Sequence, residues 1–165
     1  MDNMENKEKR INIVKNIIIN YFYQNDIYKS SCLAQSYLLY KYMLQLNYKP
    51  KLIKGYIINN VEQVYYGHFY IEHDNNIYDL STDAYLLDYK LEHHNEIKNK
   101  MRILSKNIPS EIFKKYKNID EPLFDMIRNK SYNMCMEDRF LEDVSKNAPI
   151  EIYEKIKYIY DKIIK

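Results

Sequence analysis

Between Lys51 and Ser81 the spacing of apolar residues changes period, and that change limits the folds open to the chain. Outside this block apolar residues recur at three- and four-residue steps, as Ile11, Val14, Ile17, Ile18, Tyr21 and Phe22 do over 7–24. That is the spacing of an amphipathic helix with one buried face. Inside the block, "KLIKGYII" (51–58), "QVYYGHFYIEH" (63–73) and "IYDLS" (77–81) are β-branched and aromatic, punctuated by Asn59-Asn60 and Asp74-Asn75-Asn76. Such runs predict three antiparallel strands in a meander. Helices on either side of a contiguous set of strands make an α+β domain.

A second helix is predicted over about 31–47, capped by Ser30 or Ser31, with Leu33, Tyr37, Leu38, Tyr40 and Leu44 on its apolar faces. Pro50 closes the connection to the strands. After Thr82 the helical period returns, and Pro109, Pro122 and Pro149 mark restarts because proline fits a first helical turn but not an interior. Four helices follow, near 83–106, 109–118, 121–145 and 148–164. The whole chain, 1–165, reads as one domain: a core over about 7–83 and a helical extension over about 84–165.

With 165 residues, 46% of them hydrophobic, the chain can bury a core without disulfides or metals. The net charge of +2 is shared evenly by the two halves, so no basic arm suggests a nucleic-acid partner. The two cysteines, Cys32 and Cys135, lack the spacing of a zinc site or a redox pair, which predicts free thiols in a reducing, cytoplasmic compartment. The charged start "MDNMENKEKR" and the polar breaks at Asn12, Lys15, Asn16 and Asn20 fit neither a signal peptide nor a membrane span. Ile, Asn, Lys and Tyr are abundant, as in AT-rich genomes, so Cys, His and Gly carry more information than the 19 Tyr.

Cys32 lies in "YKSSCLAQSYLL", just after two serines and before an apolar run. As an isolated cysteine it fits a buried, inert thiol. In the first turn of a helix, however, unpaired N–H groups and the helix dipole favour the thiolate. His68 follows on the second predicted strand and Asp79 on the third. A two-residue hairpin loop, Asp74-Asn75 or Asn75-Asn76, places Asp79 opposite Tyr70 or Glu72, in either case on the His68 face. In the first register Asp79 is one diagonal step from His68, within reach of a hydrogen bond. A carboxylate fixing an imidazole that takes a thiol proton is the arrangement of a cysteine nucleophile.

The stretch "CLAQSYLLYKYMLQLNYKPKLIKGYI" followed by "GHFYIEHDNNIYDLST" resembles the transglutaminase-like superfamily of papain-fold cysteine enzymes. In that family a Cys-bearing helix leads to a strand ending in a Gly-Tyr-like step, then a strand with His and a strand with Asp. Arylamine acyltransferases (N-acetyltransferases) share the arrangement. The resemblance covers about 28–83. It implies a papain-like, transglutaminase-like core, a Cys-bearing helix packed on a small antiparallel three-stranded sheet, with Cys32 as nucleophile, His68 as general base and Asp79 as orienting acid. The family often carries Trp after the His and in the oxyanion region, whereas this chain has Phe69-Tyr70 and no Trp. The Cys32 N–H and, as in papain-like peptidases, the Gln24 side chain are then the candidate oxyanion donors.

The implied activity is acyl transfer or hydrolysis through an acyl-thioester, on a peptide, protein or other amide or acyl substrate, without a cofactor. Neither the resolving nucleophile nor the oligomeric state follows. The alternative is an inactive member of the fold serving as a protein-binding or scaffold module. A metal site is not expected, because His73 falls on the strand face opposite His68 and His93-His94 are neighbours on a predicted helix. Cys135, in "NMCMEDRF", reads as core filling. Glu72 is either a second polar group in a cleft or a solvated strand carboxylate. The C-terminal helices are expected to control access and to supply no catalytic side chain.

Overall fold

Helix α1 (Met4–Gln24) turns Ile11, Ile18 and Phe22 inward on one stripe, as its seven- and four-residue steps require. The computed structural model describes residues 4–28, 31–60, 63–80, 102–119 and 122–164. Within them the protein is mixed α+β. Helix α2 (Cys32–Gln45) is buried on most of its surface, with Tyr37, Leu38, Leu39 and Met43 in the core. Among the described residues no helix is long and apolar enough to cross a membrane.

Strands β1 (Lys51–Asn59), β2 (Val64–His73) and β3 (Asn76–Tyr78) form the expected antiparallel meander. The β2–β3 hairpin closes through Asp74-Asn75, with Ile71 opposite Tyr78 and His73 opposite Asn76. Both loop residues have positive φ, 49° and 65°, the backbone that matches a two-residue turn to the twist of the strands.

The sheet is larger than the three strands expected. Strand β4 (Arg102–Ser105) pairs antiparallel with β1, and β5 (Lys117–Asn118) pairs parallel with the start of β2. The helix expected near 83–106 is thus a strand at its described end, while 83–101 and the soft boundary placed there lie outside the described residues. Residues 102–105 satisfy either period, and the free edge of β1 decides between them. Gly55 makes the approach possible: a Cβ there would lie 2.5 Å from the Ser105 carbonyl oxygen and 3.0 Å from the Tyr70 ring. The helix expected over 109–118 shortens to α3 (Ser110–Lys115) before β5.

The helix expected over 121–145 is two, α4 (Pro122–Met136) and α5 (Phe140–Asn147). They part at Asp138, whose φ is 60°. Its carboxylate accepts the Tyr37 hydroxyl (2.9 Å) and pairs with Lys41 (2.8 Å), fixing the break to α2. Asp26 after α1 and Asn47 after α2 are left-handed in the same way. With two glycines in the chain, both in strands, Asp and Asn take the positions where helices commonly end in Gly. Helix α6 (Ile150–Ile163) matches the last expected helix and joins the core through Ile156 and Ile159. Tyr21 of α1 donates to its Lys155 carbonyl at 2.6 Å.

Candidate active site

The edges of β2 locate the site. One edge is taken along its whole length by β1, so β3 and β5 must share the other. β5 covers it at Val64–Tyr65 and β3 at Ile71–His73. Between them Tyr66–Tyr70 present a stretch of edge with no strand described beside it. The start of α2 comes against this window. The Phe69 carbonyl accepts the Ser36 hydroxyl at 3.1 Å, and the Phe69 N–H donates to the Cys32 sulfur. Backbone groups that would otherwise lack a partner are satisfied by the first turn of a helix.

Cys32 opens α2, and the first helical bond runs from the Gln35 N–H to the Ser31 carbonyl at 2.9 Å. The N–H groups of Cys32, Leu33 and Ala34 therefore have no partner within the helix and leave a partial positive charge beside the thiol. Ser31 occupies the cap position, but its hydroxyl does not cap the helix. It donates to the Tyr28 carbonyl at 2.5 Å and accepts the Gln35 side-chain amide at 2.7 Å. Gln35 is fully buried one turn after Cys32, with its Oε1 unpaired among the described residues.

His68 and Asp79 meet as the hairpin register requires. With Ile71 opposite Tyr78, Asp79 comes one diagonal step from His68, and His68 Nε2 lies 2.7 Å from Asp79 Oδ1. A carboxylate can only accept, so Nε2–H donates and Nδ1 is left for the hydrogen bond that His68 shares with Cys32. His68 is 4% exposed, whereas Cys32 is half-buried.

Burial by itself would depress the His68 imidazole, but the Asp79 charge and hydrogen bond, then those of Cys32, push it up to about 10. Burial would likewise push the Cys32 thiol up. The hydrogen bond and charge of His68, the Phe69 N–H and the charge of Arg128 outweigh it and hold the thiol below its ordinary 9.0. At neutral pH His68 is an imidazolium, and its charge favours the Cys32 thiolate.

Of the other residues singled out, Gln24 stands exposed at the end of α1. Glu72 pairs with Lys106, the residue after β4, at 2.8 Å. His73 stacks on Tyr48, with ring centroids 5.6 Å apart, and His93 and His94 lie outside the described residues. Cys135 is buried in the core, as its neighbours suggest.

Sequence reasoning missed Gln35, Ser36 and Arg128. The first two follow Cys32 at three and four residues and share its helix face, a signal available in the sequence. Arg128 comes from the distant α4, and nothing local marks it. No family model, curated protein or solved structure matches the chain.

Proposed function

We propose that the protein is a cysteine-dependent acyl-transfer or hydrolytic enzyme, with α2 and β1–β3 as a transglutaminase-like, papain-type core. The observation that carries this reading is the chain of hydrogen bonds from Cys32 to His68 to Asp79, with the thiol lowered and the imidazole raised. Perturbation of two coupled groups in opposite directions is the condition a nucleophile and its base require.

In the first step the Cys32 thiolate attacks an acyl carbon. A C–S bond forms, the bond from that carbon to its leaving group breaks, and His68 Nδ1–H protonates the leaving group. In the second, water or an amine attacks the thioester, His68 Nδ1 takes its proton, and the thiolate departs. Asp79 holds the ring orientation and balances the imidazolium charge throughout. The oxyanion is assigned to the N–H groups at the start of α2 that have no partner within the helix, Cys32 first. The substrate is a peptide, a protein or another amide or acyl compound.

The test is incubation with p-nitrophenyl acetate. An acetyl group should appear on Cys32 by peptide mapping, be discharged by water or added amine, and be lost in Cys32→Ala. His68→Ala should lower turnover by about 100- to 10,000-fold. Failure to acylate Cys32 faster than an unperturbed thiol would reject the enzyme reading and leave a scaffold.

A further inference from the structure

Arg128 is held against the window in β2 by three contacts. Its guanidinium fills the place of a side chain at Gly67, where a Cβ would collide with it. It sits over the Phe69 ring with 5.3 Å from Cζ to the centroid, and Nη1 pairs with Asp125 at 3.1 Å. The Arg128 side chain is 12% exposed against 42% for Asp125. Phe69, whose ring underlies the guanidinium, is also the residue whose N–H reaches the Cys32 sulfur. One strand segment, Gly67 to Phe69, therefore carries both the nucleophile's contact and a fixed cation.

We propose that Arg128 is a specificity residue that selects acyl donors bearing an anionic group close to the reactive carbonyl. The inference rests on the acyl-transfer reading above. Arg128 meets three requirements of such a role: it is always charged, it presents a fork of donors suited to a carboxylate, and it is pre-positioned. Among the described residues, the nearby carboxylates are placed so as not to cancel it at the thiol. Asp125 is the more exposed partner and is screened by water, and Asp79 lies behind the His68 imidazolium. The missing side chain at Gly67 is explained by the same role, since any larger residue would push the guanidinium away.

The ratio of alkylation rates at Cys32 with iodoacetate and with iodoacetamide, read by mass spectrometry at neutral pH and low salt, isolates this effect. Both reagents consume the same thiolate, so the ratio is insensitive to the thiol pKa and reports only the field met by a carboxylate. It should exceed the ratio at glutathione. Arg128→Met should lower it by about fivefold, as for the loss of one cation partly screened by water. Arg128→Lys should retain most of it, and Gly67→Ala, which keeps the arginine but displaces it, should lower it as Arg128→Met does. Added salt should lower it in the unaltered protein, a readout independent of whether any variant folds. A ratio unmoved by Arg128→Met, by Gly67→Ala and by salt would overturn the proposal. Slow labelling by both reagents with the pH profile of an ordinary thiol would instead reject the acyl-transfer reading, whatever the ratio.

Discussion

The two thiols of this protein lie in contrasting surroundings. Cys135 sits in the last turn of α4 among core side chains, 3% exposed, and burial followed by the Asp143 carboxylate pushes it up to about 12. Cys32 also meets a penalty of burial yet ends below its ordinary value, because His68, the Phe69 N–H and Arg128 outweigh it. Desolvation acts on both; only one has groups aimed at its charged form. The helix end matters too, since Cys32 opens a helix and Cys135 closes one, at opposite ends of the dipole.

The contrast breaks most directly at His68. In the unaltered protein iodoacetamide should label Cys32 at about pH 6, where an ordinary thiol is almost wholly protonated, and leave Cys135 untouched until unfolding. His68→Ala should move the Cys32 labelling midpoint upward, because burial then acts with less opposition. Asp79→Asn should move it in the same direction but less, since that carboxylate acts through the imidazole. Superimposable profiles for the three proteins would show that the residues are not coupled.

A smaller effect falls on stability. Free imidazole and thiol titrate at 6.5 and 9.0, whereas folded His68 keeps its proton up to about 10 and folded Cys32 loses its own early. A raised imidazole contributes stability that is complete below 6.5 and is lost as pH rises through about 10. A depressed thiol contributes stability that is present above 9.0 and is lost as pH falls through its folded value. From the folded value of Cys32 up to 9.0 the two slopes oppose each other, so the fall in stability should be offset there and resume from 9.0 toward about 10. Cys32→Ser removes the compensation, and stability should then fall from 6.5 upward. Urea unfolding of both proteins across that range checks it, and identical curves would show that the imidazole is not coupled to the thiol.

The smallest effect tests a neighbour that touches neither thiol. Gly55→Ala should destabilise by about 1–3 kcal/mol, as overpacking does, through its contacts with Ser105 and Tyr70. It should shift the Cys32 labelling profile less than either side-chain variant. A shift as large as that of His68→Ala would mean that β4, not the charged pair, controls the thiol.

Much of the site was legible because it depends on local rules. The Asp74-Asn75 turn sets the register by its length, the register sets the diagonal from Asp79 to His68, and the apolar run after the serines places the start of α2, although the Ser31 hydroxyl does not cap it. What escaped depends on partners distant in the chain. Residues 102–105 become a strand only because β1 has a free edge and Gly55 admits it. Asp138 breaks a helix because Tyr37 and Lys41 hold its carboxylate, and aspartate is not a strong breaker by itself. Arg128 is marked by no period or motif, and only the packing of α4 on Gly67 and Phe69 brings it to the thiol.

The window in β2 also bears on self-association. A strand edge without a neighbouring strand is a template for another chain, and the stretch of β2 with none described beside it runs through Tyr66, Phe69 and Tyr70, residues of high β-propensity. The start of α2 takes up the Phe69 N–H and carbonyl in this stretch, so the turn that carries Cys32 also stands in the way of strand addition. Changes that loosen this turn to widen the site would uncover an adhesive edge in the same motion. Natural or laboratory selection for broader reactivity at Cys32 would therefore meet aggregation as its first limit, and tolerated variants should cluster away from Cys32–Ser36.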